Sequence, residues 1–144
     1  MKILVLNGPN LNLLTSRGKD NYGALSIESI EKDLRSEFPD IHFEFYQSNH
    51  EGELVDKIQK ADDIFDGIII NSGGYSHTSV AIHDALEISK LIKIEVHLSH
   101  LVKREEFRQQ FITARACNGF ISGFKNLSYN AAVYLILKFN KTVI

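Results

Sequence analysis

The chain has a single cysteine, no excess of basic residues and no long apolar run, and each lack removes a class of protein. Cys117 is the one cysteine in 144 residues, so no internal disulfide can form and the chain suits a reducing compartment. In its apolar neighbourhood the thiol reads as core packing. Lysine and arginine total 16 against 18 for aspartate and glutamate, which leaves no positive field for a phosphate backbone, so nucleic acid is not an expected partner. No apolar stretch approaches the ~20 residues that span a membrane, and Ile3 to Leu6 is too short for the apolar core of a signal peptide. A cytoplasmic location and small-molecule or protein partners are expected. Nucleotide signatures are missing too: no G-x-G-x-x-G follows the first apolar run and no G-x-x-x-x-G-K-[ST] occurs. A phospho-acceptor domain would carry acidic residues after that run, where Asn7 and Asn10 are neutral.

What is present is an alternation of two kinds of segment. Strand-length apolar runs occur at Ile3 to Asn7, Ile41 to Gln47, Gly67 to Asn71, Lys93 to Ser99 and Gly119 to Gly123. Helical spacing lies between them. Ser26 is placed to cap a helix carrying Ile27, Ile30, Leu34 and Phe38; Leu54, Ile58, Ala61 and Phe65 mark a second, Val80 to Leu91 a third, Arg104 to Phe111 a short fourth and Tyr129 to Asn140 the last. Five strand-helix units predict an α/β domain spanning residues 1–144, a flavodoxin-like, doubly wound five-stranded parallel sheet with helices on both faces. Ligands in such sheets bind beyond the carboxyl ends of the strands.

The polar residues at those ends form a specific set. After the first run come Asn7, Pro9, Asn10 and Asn12; after the third, "NSGGYSHTS"; on the fourth, "EVHLSH"; then "REEFR". Strand alternation puts Glu95, His97 and Ser99 on one face and Val96 and Leu98 on the other. A glutamate and a histidine buried together need partners. They are either a mutually satisfied pair or an acid-base pair in which Glu95 sets the tautomer of His97. Arg104 and Arg108 are four apart and share a face of the expected helix, either as solvated charges balanced by Glu105 and Glu106 or as a clamp for a carboxylate or hydroxyl-rich ligand. The paired glycines of "NSGGYSHTS" admit a close backbone approach, and its hydroxyls stand ready to cap a helix near Ser79, whose N-terminus favours an anion. The connection from Asn7 to Ser26 is far longer than the about 2 to 6 residues usual for such crossings, which marks it as a lid or binding loop.

Taken in order, "NGPNLNLL", Arg17 followed by Tyr22 and Gly23, "QSNHEGELVDKI", "NSGGYSHTSVAIHDAL", "EVHLS" and "REEFR" make the chain similar, over essentially its full length, to the type II 3-dehydroquinate dehydratases. That resemblance implies loss of water from a cyclic β-hydroxy ketone bearing a carboxylate, 3-dehydroquinate, by way of an enolate. It implies Tyr22 as base, with Arg17 lowering its pKa, Asn10 holding a water against the enolate, and His97, oriented by Glu95, as acid for the departing hydroxyl. Asn71, His77, the backbone at Leu98 and Ser99, and Arg108 match positions that bind substrate, with Arg104 in support. The resemblance implies no cofactor, no metal and no Schiff-base lysine. It further implies a lid at about residues 15–25, a dodecamer built of trimers, and Asp84 reaching a neighbouring subunit's site.

The chain departs from the family pattern at several positions. Thr15 stands before the lid where glycine is usual, and Gly18 and Lys19 replace a Glu-Pro pair. "NSGG" replaces a more usual proline and alanine, His100 stands where asparagine is common, and Lys125 replaces a frequent glycine. None touches a proposed catalytic role. Two other readings remain open at this point, a non-catalytic small-anion-binding module of the same fold and a metal-dependent hydrolase using His77, His97 and His100.

Overall fold

The computed structural model describes residues 1–16 and 25–142. Strands β1 (Lys2–Asn7), β2 (His42–Gln47), β3 (Gly67–Asn71), β4 (Ile92–His97) and β5 (Gly119–Ser122) form one sheet in the order β2-β1-β3-β4-β5. Every neighbouring pair is parallel, with Asn7 level with Asn71 and Glu95 level with Phe120. The helices among the described residues are α1 (Ile27–Glu37), α2 (Glu51–Gln59), α3 (Val80–Ile88) and α4 (Leu127–Thr142). The expected flavodoxin-like, doubly wound sheet is the fold observed.

Strand alternation sorts the apolar residues into two cores. Ile3, Val5, Ile69, Ile94 and Val96 pack with Ile30 and Leu34 of α1 and with Tyr129, Val133 and Ile136 of α4. Leu4, Leu6, Ile68 and Ile70 face the other way, onto Leu54 and Ile58 of α2 and Ile82 and Leu86 of α3. Both faces of the central strands are therefore covered, which is why β1 and β3 read as unbroken apolar runs. The helices start where capping chemistry starts them. Ser26 Oγ accepts from Ser29 N at 3.1 Å while Ser29 Oγ accepts from Ser26 N at 3.0 Å, and Ser79 Oγ accepts from Ile82 N at 2.9 Å.

Three helical expectations need correction. The Leu54 to Phe65 pattern is helical only to Gln59 and continues as turns, although Ala61 and Phe65 stay buried. The third helix ends at Ile88, three residues early, because Ser89 turns extended and its hydroxyl and the next backbone N–H bind the carboxylate of Asp62. No α-helix spans Arg104 to Phe111. That stretch makes short 3-10 turns at Leu101–Lys103 and Glu106–Arg108, separated by extended backbone at Arg104 and Glu105. Its carbonyls at Leu101 and Arg104 accept instead from the side chain of Gln109, at 2.8 and 3.3 Å. Lys125, where the resemblance expects glycine, has a left-handed backbone with φ of 52°, a conformation glycine adopts without steric cost.

Because β1 connects to β2 on one side and β3 lies on its other side, the chain reverses direction between β1 and β3 and opens a crevice at their carboxyl ends. Gly8 closes the base of that crevice. Its N–H donates to Asn71 O at 2.8 Å, and a Cβ there would lie 2.4 Å from Ser72 O. Gly8→Ala is expected to lower stability by about 2–3 kcal/mol through forced separation of the two strand ends, read as a reduced urea midpoint. A shift below about 0.5 kcal/mol would show that this contact has room to spare.

Candidate active site

The crevice holds a cavity of about 110 Å³, lined at its floor by Asn71, His77 and His97 and at its rim by Asn10, Arg104 and Arg108. Leu98 and Ser99 line it as well. Asn71 and His97 are the last residues of β3 and β4, and Asn10 follows β1, so three neighbouring strands deliver the polar groups. A second groove lies along β2 and α2, but its charged residues answer one another, with Lys57 Nζ 2.8 Å from Glu44 Oε1.

At the floor, Glu95 and His97 project from the same face of β4, Glu95 0 % exposed and His97 buried beside it. His97 Nε2 lies 2.7 Å from Glu95 Oε1, which commits one ring nitrogen and leaves Nδ1 for proton transfer. His77 is set the other way. Its Nδ1 lies 2.7 Å from Gln110 O; a carbonyl only accepts, so Nδ1 carries the proton and Nε2 is the acceptor of the neutral ring. Burial, opposed by that carbonyl, holds the His77 pKa below its ordinary value, and the charges of His97 and Arg108 push it the same way. The two rings lie 6.3 Å apart, and Phe111 and Phe120 back them with centroids 6.0 Å from His77 and 5.5 Å from His97.

Asn71 is aimed from behind. Its Nδ2 donates to Tyr129 Oη at 3.2 Å and its Oδ1 accepts from Gly73 N at 3.1 Å; Tyr129 Oη in turn donates to Asn7 Oδ1 at 2.6 Å. Tyr129 is fully enclosed, and burial pushes its phenol pKa up, so it serves as a neutral link between the ends of β1 and β3. Gly73 has φ of 58°, and a Cβ on it would meet Pro9 O at 3.0 Å. Asn10 also takes a left-handed backbone, φ 66°, which asparagine tolerates better than most residues; its N–H donates to Asn49 Oδ1 at 3.0 Å.

At the rim, Arg104 and Arg108 converge without the helix expected to align them. Glu105 Oε2 accepts from Arg104 Nε at 3.2 Å and from Arg108 Nε at 2.9 Å, and Arg104 Nη1 donates to Ser99 Oγ at 3.0 Å. The Glu105 carboxyl is held below its ordinary pKa, first by its own backbone N–H and then by the guanidiniums. The Glu105 carboxylate thus balances both guanidiniums within the protein, the first of the two readings of their spacing.

Tyr22 and Arg17, with most of the expected lid, lie outside the described residues. Asp84 is on α3 beside His83, with Nδ1 to Oδ1 3.1 Å, and does not line the cavity. The histidine triad of the hydrolase reading does not assemble: among the described residues the group of metal-type donors that does converge is His83, Asp84 and Glu87 on α3. Cys117 is partly buried and packs against the edge of the second core rather than within it; burial pushes its thiol pKa up, and Sγ lies 3.7 Å from Thr113 O. Sequence reading passed over Tyr129, Asn49 and Thr113 as supports of the site. Tyr129 sits at an ordinary helical apolar position, and nothing local singles out the other two.

The strand ends of this doubly wound domain carry a buried, hydrogen-bonded glutamate and histidine under a rim of two guanidiniums. A family model described as dehydroquinase class II matches residues 1–137, and the chain belongs to that family. It is 50% identical over 143 residues to the 3-dehydroquinate dehydratase of Carboxydothermus hydrogenoformans, covering 98% of this chain and 93% of that protein. It is also 50% identical to the enzyme of that name from Fusobacterium nucleatum, covering 98% and 100%. The crystal structure of type II dehydroquinase from Butyrivibrio crossotus superposes with a TM-score of 0.91 at 46% identity, over 94% of this chain and 97% of that one. No helix of the described residues is long and apolar enough to cross a membrane.

Two outcomes test this geometry. Tyr129→Phe strands the acceptor on Asn7 and a donor on Asn71, and is expected to cost about 1–3 kcal/mol of unfolding free energy; an unchanged urea midpoint would mean the link carries no load. For His77, a folded-state pKa below the unfolded value means the unfolded chain binds more protons, so its stability contribution is complete above about pH 6.5 and is lost as pH falls through the lower folded value. His77 is expected to titrate below about 6.5 by NMR, and His77→Gln to flatten the fall in stability between neutral and mildly acidic pH. A midpoint above that value would reverse the assignment of its neutral form.

Proposed function

We propose that the chain catalyses the reversible elimination of water from 3-dehydroquinate to give 3-dehydroshikimate through an enolate. The observation that carries the reading is the buried Glu95–His97 bond of 2.7 Å opening onto a cavity rimmed by Arg104 and Arg108, in a chain of the class II dehydroquinase family.

The substrate carboxylate pairs with Arg108, supported by Arg104, in the place where Glu105 now sits. Ring hydroxyls are held by Asn71, by the neutral Nε2 of His77 and by the backbone at Leu98 and Ser99. Tyr22, as phenolate, removes the proton next to the ketone. At pH 7 only about one unperturbed tyrosine in a thousand is ionised, so Arg17 supplies the neighbouring cation that makes the base available. Asn10 holds a water against the enolate oxygen as charge develops there. His97 then gives its Nδ1 proton to the departing hydroxyl, and the Glu95 carboxylate stabilises the imidazolium before that transfer. No cofactor, metal or imine takes part in this scheme. The loop at about residues 15–25 acts as the lid that brings Tyr22 and Arg17 over the ring and excludes water.

The same reading carries a cytoplasmic enzyme assembled as a dodecamer of trimers, with Asp84 of one subunit completing a neighbour's site; the exposure of Asp84 on α3, away from its own subunit's cavity, is compatible with that role. A non-catalytic small-anion-binding module would use the guanidinium rim but would have no use for a glutamate and histidine paired out of water.

Chelator-treated protein is expected to convert 3-dehydroquinate to a conjugated enone, followed by ultraviolet absorbance, with activity unaffected by borohydride in the presence of substrate. Tyr22→Phe should lower kcat by orders of magnitude while leaving affinity for a substrate-like inhibitor nearly intact, and His97→Ala should block turnover at the loss of hydroxide. Near-normal turnover in either variant would remove that residue from its role. Ligand binding without turnover in the unaltered protein would establish the binding module.

A further inference from the structure

Glu95 has no exposed surface, and each described partner that reaches its carboxyl group is able to donate. His97 Nε2 and Ser76 Oγ both contact Oε1, and Thr113 Oγ1 donates to Oε2 at 2.5 Å. A carboxylate offers only acceptor oxygens, and the two hydroxyls and the His97 Nε2–H can each present a proton to it. Thr113 has one proton and a carboxylate only accepts, so that proton points at Glu95 and the Thr113 oxygen is left to accept from Ser72 Oγ, 3.2 Å away. Ser72 and Thr113 are themselves fully enclosed. The main chain keeps them in register, since Ile112 N donates to Ser76 O at 2.8 Å and the His77 ring donates to the carbonyl of nearby Gln110.

The two carboxylate oxygens are thus held from different directions. Oε1 is held by Ser76 from the turn after β3, and Oε2 by Thr113 from a segment about forty residues further along the chain. With Oε2 released, the group swings about its Cγ–Cδ bond or takes up a proton, because a buried charge missing a donor is unstable. Either change removes the anion from His97 Nε2.

We propose that Thr113 is a positioning residue for the acid step, its hydroxyl, backed by Ser72, fixing the plane and charge of the Glu95 carboxylate so that His97 keeps Nε2 committed and Nδ1 available. Thr113 touches no reacting atom. The inference rests on the reading of His97 as the acid that protonates the leaving hydroxyl.

The test compares Thr113→Val, which keeps the shape of threonine without its hydroxyl, with Thr113→Ser, which keeps the hydroxyl. Two quantities are read on each: steady-state turnover of 3-dehydroquinate, and the proton NMR resonance of the His97 Nε2–H, assigned by its loss in His97→Gln. Thr113→Val is expected to lower kcat about tenfold to a hundredfold, the effect of one hydrogen bond to a charged group, with KM within about twofold. Its Nε2–H resonance is expected to move upfield, and Thr113→Ser to restore most of both. Wild-type kcat and resonance in Thr113→Val would overturn the proposal. So would equal losses of kcat in the valine and serine variants with the resonance unmoved, which would reduce Thr113 to packing. If Thr113→Val does not fold, Ser72→Ala removes only the outer donor; a small loss of kcat with an upfield shift supports the relay, and wild-type values for both overturn it. The resonance is read on the resting protein, so absence of turnover in the unaltered chain would overturn the function while the Thr113 contact is still decided.

Discussion

A carboxylate without access to water in the middle of a parallel sheet is the constraint around which this molecule is arranged. Ionised carboxylates are costly to bury, and the cost is met only when donors saturate them. Glu95 is saturated by groups from three places in the chain: its own strand, the turn after β3, and the segment before β5. Those segments have to come together for the sheet to close over it. The chemistry needed at the site and the packing needed by the fold therefore make the same demand on the same residues.

A second linkage runs between the other strand ends. Asn7 and Asn71 finish β1 and β3 at the same level, and the Tyr129 hydroxyl sits between their amides. Tyr129 belongs to α4, on the far face of the sheet from α2 and α3. A helix that lines no part of the cavity thus holds Asn71 from its own face of the sheet, the face that Ile69 and Val5 share. The rim differs in kind: Arg108 sits on a short turn and Arg104 and Glu105 on the extended link before it, near the surface, where ion pairs are screened and worth little to stability.

How much of this was legible in the sequence depended on how local each signal is. Strand alternation along "EVHLSH" placed Glu95 and His97 on one face, and the structure has them bonded there. Ser26 and Ser79 announced their helices because a capping hydroxyl works within three residues. The expected Arg104–Phe111 helix does not form: i, i+4 spacing alone does not make a helix, and carbonyls of that stretch are satisfied by the Gln109 side chain instead. The two arginines share the Glu105 carboxylate, as one of the two readings of their spacing had it, and not a helix face. Thr113 and Tyr129 were invisible as site residues, since each meets its partner across a sequence separation that no local pattern records. Lys125 carried the reverse lesson: a lysine in a left-handed turn gives no sign of its backbone, and only the resemblance marked the position as unusual.

The strand order has a consequence for how the molecule comes apart. The residues with proposed chemical roles that the structure describes stand on or just after β1, β3 and β4, which are paired on both sides, while β2 and the four-residue β5 form the edges. Partial opening proceeds most readily from short, half-exposed edges and surface turns. Fluctuations that peel away β5 or rearrange the arginine turns leave β3 and β4 paired, with Asn71 and the Glu95–His97 bond still on adjacent strands. On the function proposed above, substrate entry and product exit draw on the loosest parts of the domain, and proton transfer on the parts expected to exchange their amides last.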